Sequence, residues 1–162
     1  MDAEQYNKWS EPLKKHPWAA CAVVRANKII TYLFYTAYPL LLMLLFATES
    51  SLAVRALLFP LMGFLLVTIV RAAVNQPRPY EALPLEPLIA KNTKGKSFPS
   101  RHAYSSMVIA VTFLNWCVFA GIPMIALALG MAALRVVGGV HYPHDVLVGA
   151  GMGILFGMLE LL

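Results

Sequence analysis

A chain of 162 residues that is 59% hydrophobic and only 13% charged lies far from the composition of soluble domains, in which about 25% of residues carry charge. That composition excludes an ordinary soluble domain and predicts one compact unit embedded in a membrane. The net charge of +5 is scattered between apolar runs rather than gathered into a basic tail, which excludes nucleic acid as a partner and favours anionic lipid headgroups or phosphate esters.

Residues 1–28 mix Glu4, Glu11, Lys14, Lys15 and Arg25 with Trp9 and Trp18 and have no uninterrupted apolar core. This pattern predicts a retained amphipathic segment lying at the membrane interface, followed by a membrane-embedded domain over 29–162. Residues 29–47 carry no charge and are about as long as the roughly 20 residues that cross a bilayer. They form the first predicted span. A polar connection at 48–51 leads into a second span over 52–70, in which Arg55 is near enough to the end to snorkel. Arg71 ends this span, and Pro77 and Pro79 stop the helix from running on. The stretch 80–97, with Pro84, Pro87, Gly95 and three lysines, reads as the one long loop. A third span is predicted over 102–119, a turn at Gly121 and Pro123, and a fourth span over 124–137. A fifth covers 146–162, where Gly149, Gly151, Gly153 and Gly157 permit close helix contacts. The predicted fold class is all-α, a polytopic transmembrane bundle of about five spans. Cys21 and Cys117 have no metal-binding or redox spacing and read as structural.

Alternating span directions bring three distant polar clusters to one membrane surface: Arg71 with Arg78, Ser100 to His102, and Arg135 with His141 and Asp145. Arginine offers a fixed fork of donors to phosphate oxygens, and Arg71, Arg78 and Arg135 are three such forks. The segment Ser97-Phe98-Pro99-Ser100-Arg101-His102 leads into a helix, whose first N–H groups lack intrahelical acceptors and favour an anion; Ser100 adds a hydroxyl. His141 lies just before a helix start with Asp145 inside its first turn, so one ring nitrogen can bond the carboxylate while the other stays free. His102 has no such partner. The asymmetry suggests a nucleophile activated by Asp145 and a general acid for the leaving group. The implied reaction is hydrolysis of a phosphate ester or diphosphate through a phosphohistidine. Arginines and helix N–H groups supply the charge in this scheme, and no carboxylate cage for a metal is visible; no cofactor is expected.

The chain resembles the type 2 phosphatidate phosphatase family, which includes lipid phosphatases, glucose-6-phosphatase and vanadium haloperoxidases. The family's three motifs, Lys-x6-Arg-Pro, Pro-Ser-Gly-His and Ser-Arg-x5-His-x3-Asp, read here as Arg71-x6-Arg78-Pro79, Pro99-Ser100-Arg101-His102 and Leu134-Arg135-x5-His141-x3-Asp145. The resemblance implies His141 as nucleophile, Asp145 as its orienting partner, His102 as general acid, and Arg71, Arg78, Ser100 and Arg135 as phosphate ligands. Three positions depart from the pattern. Arg71 replaces lysine, Leu134 replaces serine, and Arg101 replaces glycine, placing a further cation at the pocket that suits a second phosphate. Bacterial membrane members of the family commonly have six spans; five would mean that the amphipathic N-terminus stands in place of the first.

The resemblance implies a lipid phosphate substrate held in the membrane, and its small size suits the bacterial cell membrane. A polyprenyl diphosphate such as undecaprenyl diphosphate ranks first because of Arg101, ahead of phosphatidylglycerophosphate, phosphatidic acid or a lipid A phosphate. A reading of another class is a catalytically silent lipid-binding scaffold; a haloperoxidase-like oxidant fits so apolar a chain poorly. The remaining basic residues, Lys8, Lys14, Lys15, Arg25, Lys28, Lys91, Lys94 and Lys96 against Arg55, would put the site in the cytoplasm by the positive-inside rule, whereas the resemblance to polyprenyl diphosphate and phosphatidylglycerophosphate phosphatases puts it outside. Arg25 and Arg55 read as interfacial anchors, Lys91, Lys94 and Lys96 as a solvated loop, and His144 as a wall or solvent-facing residue; His16 has no assigned role.

Overall fold

The computed structural model describes residues 3–162, and among these every regular element is helical. In chain order they are α1 (Ala3–Lys14), α2 (Pro17–Ala47), α3 (Leu52–Val74), the single turn α4 (Pro79–Ala82), α5 (Arg101–Trp116), α6 (Val118–Val137) and α7 (Pro143–Met158), closed by a 3-10 turn at Leu159–Leu161. Proline at the first helical position starts α2, α4 and α7, where its missing N–H costs nothing because that group has no partner in a helix.

The distribution of side chains is inverted relative to a soluble protein. Ile29, Leu40, Met43, Val54, Leu58, Phe119 and Leu147 stand exposed on the outside, while Arg71, Arg78, Arg135, His141 and Asp145 are buried. Only an apolar surround makes that arrangement favourable. Four segments are long and apolar enough to cross a membrane by length and composition: Pro17–Ala47, Leu52–Ala82, Val118–Val137 and Pro143–Leu161. The chain is an integral membrane protein with a polytopic helical bundle.

The third predicted span is α5, whose 16 residues make it shorter than any of those four segments and which occupies the centre of the bundle. It packs most extensively on α6 and α7, with α3 and α2 on its other sides. Tyr104, Met107, Val108, Ile109 and Ala110 of α5 join Phe34, Val67 and Ala128 in the main core. Gly149, Gly153 and Gly157 lie on the face of α7 that meets α5. A Cβ on Gly149 would come within 2.5 Å of the Ser100 carbonyl oxygen, and one on Gly153 within 2.8 Å of the Tyr104 carbonyl oxygen. These glycines let the two backbones touch; Gly151 faces open space.

Three boundaries differ from the sequence reading. The first long helix begins at Pro17 rather than residue 29, because Lys28 and Arg25 do not interrupt helical hydrogen bonding even though they interrupt hydrophobicity. The reversal between the third and fourth predicted spans occurs at Cys117, which is extended (φ −156°, ψ 118°), and not at Gly121 and Pro123. Both of those lie inside α6. Gly121 serves the reversal from within the helix: its Cβ would fall 2.3 Å from Leu114 Cα, so only glycine lets α6 fold back so tightly on α5. Finally, the segment 1–28 is divided, with residues 3–14 forming a helix of their own that packs on α2 and α6 and fully buries Tyr6.

Candidate active site

The ends of α3, α6 and the starts of α5 and α7 meet at one end of the bundle, and the polar residues singled out above are carried there. Arg71 lies in the last turn of α3 and donates from Nη1 to the carbonyls of Ser97 (3.2 Å) and Pro99 (2.5 Å). Arg78, just before α4, donates from Nε to Gly95 (3.1 Å) and from Nη1 to the Val140 carbonyl (3.2 Å). Glu81 accepts from the backbone N–H groups of Arg78 and Gly95. The two arginines therefore hold the loop after α4 against the bundle as well as presenting charge.

Ser100 is the N-cap of α5. Its hydroxyl accepts from Ala103 N at 3.4 Å, and its own N–H donates to the Asp145 carbonyl at 2.9 Å. That N–H is consequently committed to α7, which corrects the expectation that it points toward an anion. The N–H groups of Arg101 and His102 follow in the first turn, where α-helices offer no internal acceptor. His102 lines a cavity with Arg101, Ser105, Ser106 and Met131, and the ionisable groups that act on it are Arg135, Lys91, His141 and Arg101.

Arg135 sits near the end of α6 and is 2% exposed. Its Nη1 donates to Asn27 Oδ1 at 3.1 Å, while Nε and Nη2 are buried with no hydrogen-bond partner among the described residues. A buried donor left unpaired costs roughly 1–3 kcal/mol. Two such donors on one guanidinium are free to take a further acceptor.

His141 lies between α6 and α7 and is 1% exposed. Its Nδ1 is 3.4 Å from Asp145 Oδ2, so Nε2, on the far side of the ring, is the nitrogen turned away from the carboxylate. Burial lowers its pKa to about 4, opposed by the Asp145 hydrogen bond and reinforced by Arg135 and Arg78; the ring is neutral above that pH. Asp145 is not held by His141 alone. Oδ2 accepts from the Ser97 hydroxyl at 2.5 Å and from Tyr142 N at 3.0 Å. The Ser97 hydroxyl is also 3.4 Å from His141 Nδ1.

All eight candidate site residues are thus at one end of the molecule, seven of them tied into this arrangement. Arg101 stands apart: it is exposed, with its guanidinium 5.9 Å over the ring of Phe64, at the rim of the His102 cavity. Four further residues belong here that the sequence reading did not assign. Ser97 and Asn27 act through Asp145 and Arg135. Lys91, read as solvated, is half-buried near Arg135, Arg78, Arg71 and Arg101; burial, then those four cations, lowers its pKa to about 7. His144 does face solvent, yet its Nε2 is 3.0 Å from Asp145 Oδ1, its ring stacks on Tyr142 at 5.4 Å and it meets Gln76 at 3.2 Å. No spacing could single out Ser97, Asn27 or Lys91; His144, adjacent to Asp145, was visible but had no motif position. Among the described residues no group of three or more His, Cys, Asp or Glu is placed to hold a metal ion.

A groove leaves this site sideways. The cavity at Arg101 and His102 shares Phe34, Tyr35, Phe64, Ser105 and Ile109 with a second, almost wholly apolar cavity that continues to Tyr38, Pro39, Leu57 and Leu61. From His102 to Ile109 the groove follows α5 for about 10 Å at 1.5 Å per residue, between α2 and α3 and toward the lipid-facing side.

Comparison with known proteins agrees with this architecture. Residues 52–162 match the PAP2 superfamily. The crystal structure of Aquifex aeolicus LpxE superposes with a TM-score of 0.72 at 23% identity, covering 99% of this chain and 94% of that one. The first transmembrane PAP2 type phosphatidylglycerolphosphate phosphatase from Bacillus subtilis gives a TM-score of 0.70 at 22% identity, covering 98% of this chain and 83% of that one. At these identities the two structures share the fold. No curated protein matches the sequence significantly.

Proposed function

The chain belongs to the PAP2 superfamily and is a metal-independent phosphatase of the membrane; on that premise we propose that it removes phosphate from a lipid headgroup through a phosphohistidine, in a bacterial cell membrane. The observation that carries the reading is Arg135, whose two buried N–H groups have no partner among the described residues and suit a phosphate's oxygens beside His141.

In the first step His141 Nε2 attacks phosphorus. The bond from phosphorus to the leaving oxygen breaks, and His102 gives that oxygen its proton. Asp145, itself fixed by Ser97 and Tyr142 N, keeps the proton of His141 on Nδ1 and stabilises the cation that forms. Arg71, Arg78, Arg135 and the first-turn N–H groups of α5 hold the phosphoryl oxygens, with Ser100 capping that helix. Water then attacks the phosphohistidine, His102 takes its proton, and inorganic phosphate leaves.

The lateral groove supports a substrate whose tail remains in lipid. Arg101, at its mouth, and Lys91, beside the arginines, are cations beyond those a single phosphate requires. They favour a diphosphate such as undecaprenyl diphosphate over phosphatidylglycerophosphate or phosphatidic acid. A silent lipid-binding scaffold would have no use for a neutral buried histidine with its carboxylate, next to unpaired arginine donors.

Phosphate release by the detergent-solubilised protein, measured across lipid diphosphates and monophosphates with and without EDTA, tests the reading. Activity should survive EDTA, be highest on a polyprenyl diphosphate and disappear in His141→Ala. Undiminished release by H141A would remove His141 as the nucleophile.

A further inference from the structure

We infer that α1 is part of the catalytic unit and that Tyr6 is a positioning residue for His141, an inference that rests on the reading of His141 given above. Tyr6 is fully buried, although α1 lies at the edge of the bundle and outside the 52–162 region that defines the family.

Its hydroxyl bridges two backbone groups of the long loop, donating to the Glu86 carbonyl at 3.2 Å and accepting from Leu88 N at 3.3 Å. One residue further on, Ile89 N donates to the Gly138 carbonyl at 3.2 Å. The Tyr6 ring meanwhile lies against Gly139, where an added Cβ would come within 2.8 Å of the Tyr6 hydroxyl oxygen and 3.0 Å of its ring. Gly139 has φ +75°, a left-handed conformation that only glycine adopts without strain. One side chain of α1 therefore touches both the loop and the tight turn that leads to His141.

The turn has few other restraints on that side. Val140 N and His141 N both donate to the Arg135 carbonyl, and the Val140 carbonyl accepts from Arg78. These bonds hold the turn from the side of the phosphate pocket. From the opposite side it is covered by Tyr6 and by a small apolar cluster of Val23, Ile89 and Val140, on which Leu13 of α1 also packs. Tyr6 and Leu13 are seven residues apart and so share one face of α1, while Lys8, Trp9 and Glu11 on the other faces are exposed. With α1 in place, the turn has one position and His141 Nδ1 is held toward Asp145. Without it, the turn can swing toward the interface and water can reach the histidine.

The test compares Tyr6→Phe, which keeps the ring against Gly139 and loses both hydrogen bonds, with Tyr6→Ala, which loses both contacts, in the full-length protein in detergent. For correctly folded protein, kcat for lipid phosphate release should fall about threefold in Y6F and at least tenfold in Y6A, with KM within twofold of wild type. Hydrogen exchange should be at least tenfold faster in Y6A for the peptide spanning 136–142 and unchanged in α5 and in the body of α7. Wild-type exchange in 136–142 in both variants, a wild-type kcat in Y6A, or an effect confined to KM would overturn the inference. The exchange arm does not depend on turnover, so it separates failure of this inference from failure of the phosphatase reading, which H141A reports.

Discussion

Lys91 shows how a residue with no distinguishing neighbours in sequence acquires a special setting in the fold. Ile89 pins the loop to Gly138, and two residues later Lys91 is half-buried within the field of four arginines while Lys94 and Lys96 stay exposed. A lysine whose pKa has been lowered to about 7 is charged below that pH and neutral above it, so the site loses positive charge as pH rises through neutrality. The KM for an anionic lipid substrate should therefore rise between pH 6 and 8, and Lys91→Met should raise KM at pH 6 and flatten this dependence. Steady-state kinetics over that range checks it. His141 is already neutral above about 4, so its protonation does not limit the nucleophilic role proposed for it between pH 5 and 8.

At the scale of elements, the α5 and α7 pair sets the site, because Ser100 caps one helix and Asp145 begins the other, joined by the Ser100 N–H to Asp145 carbonyl bond. Gly149 is the first residue of the glycine face and sits directly on the Ser100 backbone. Overpacking of this kind costs about 1–3 kcal/mol. Gly149→Ala should lower the thermal unfolding temperature in detergent by several degrees, about 2–4 °C per kcal/mol for a chain of this size, and reduce kcat by displacing Ser100. Gly151→Ala, two residues away and facing open space, should leave both unchanged. Differential scanning of the two variants distinguishes a packing role from a general intolerance of alanine in α7. The glycine run was legible as a close-contact signal, but not which of its members makes the contact, since that depends on the rotation of α7 about its own axis. Likewise Gly121 and Pro123 announced a reversal and misplaced it by several residues: hydropathy does not drop at Cys117, so only the tertiary fold reveals the break there.

Across the whole molecule, chemistry is concentrated at one end and apolar surface faces outward along the rest. Span directions inferred from sequence were enough to bring Arg71, His102, Arg135 and His141 to that end, because each is fixed by motif spacing to the end of a long apolar run. Asn27, Ser97 and Tyr6 were not legible, because each is chosen by proximity across the bundle, over 108, 48 and 82 residues of chain. The groove was equally hidden, being a property of the gap between α2, α3 and α5.

The far end of the bundle carries Glu160, fully buried, which accepts from the Thr112 hydroxyl at 2.6 Å and Asn115 Nδ2 at 3.1 Å. These bonds matter most before the protein is finished. Helix α5 emerges from the ribosome with Ser105, Ser106, Thr112 and Asn115 along its short length, and a helix so polar and so short is a poor substrate for insertion by itself. Thr112 and Asn115 find their partners, Glu160 and the Gly157 carbonyl, only once α6 and α7 have followed. Insertion of the middle of this protein is therefore a joint event of its last three helices. In a glycosylation-mapping assay, chains truncated before α6 should leave α5 outside the bilayer, and chains extending through Glu160 should bring it in.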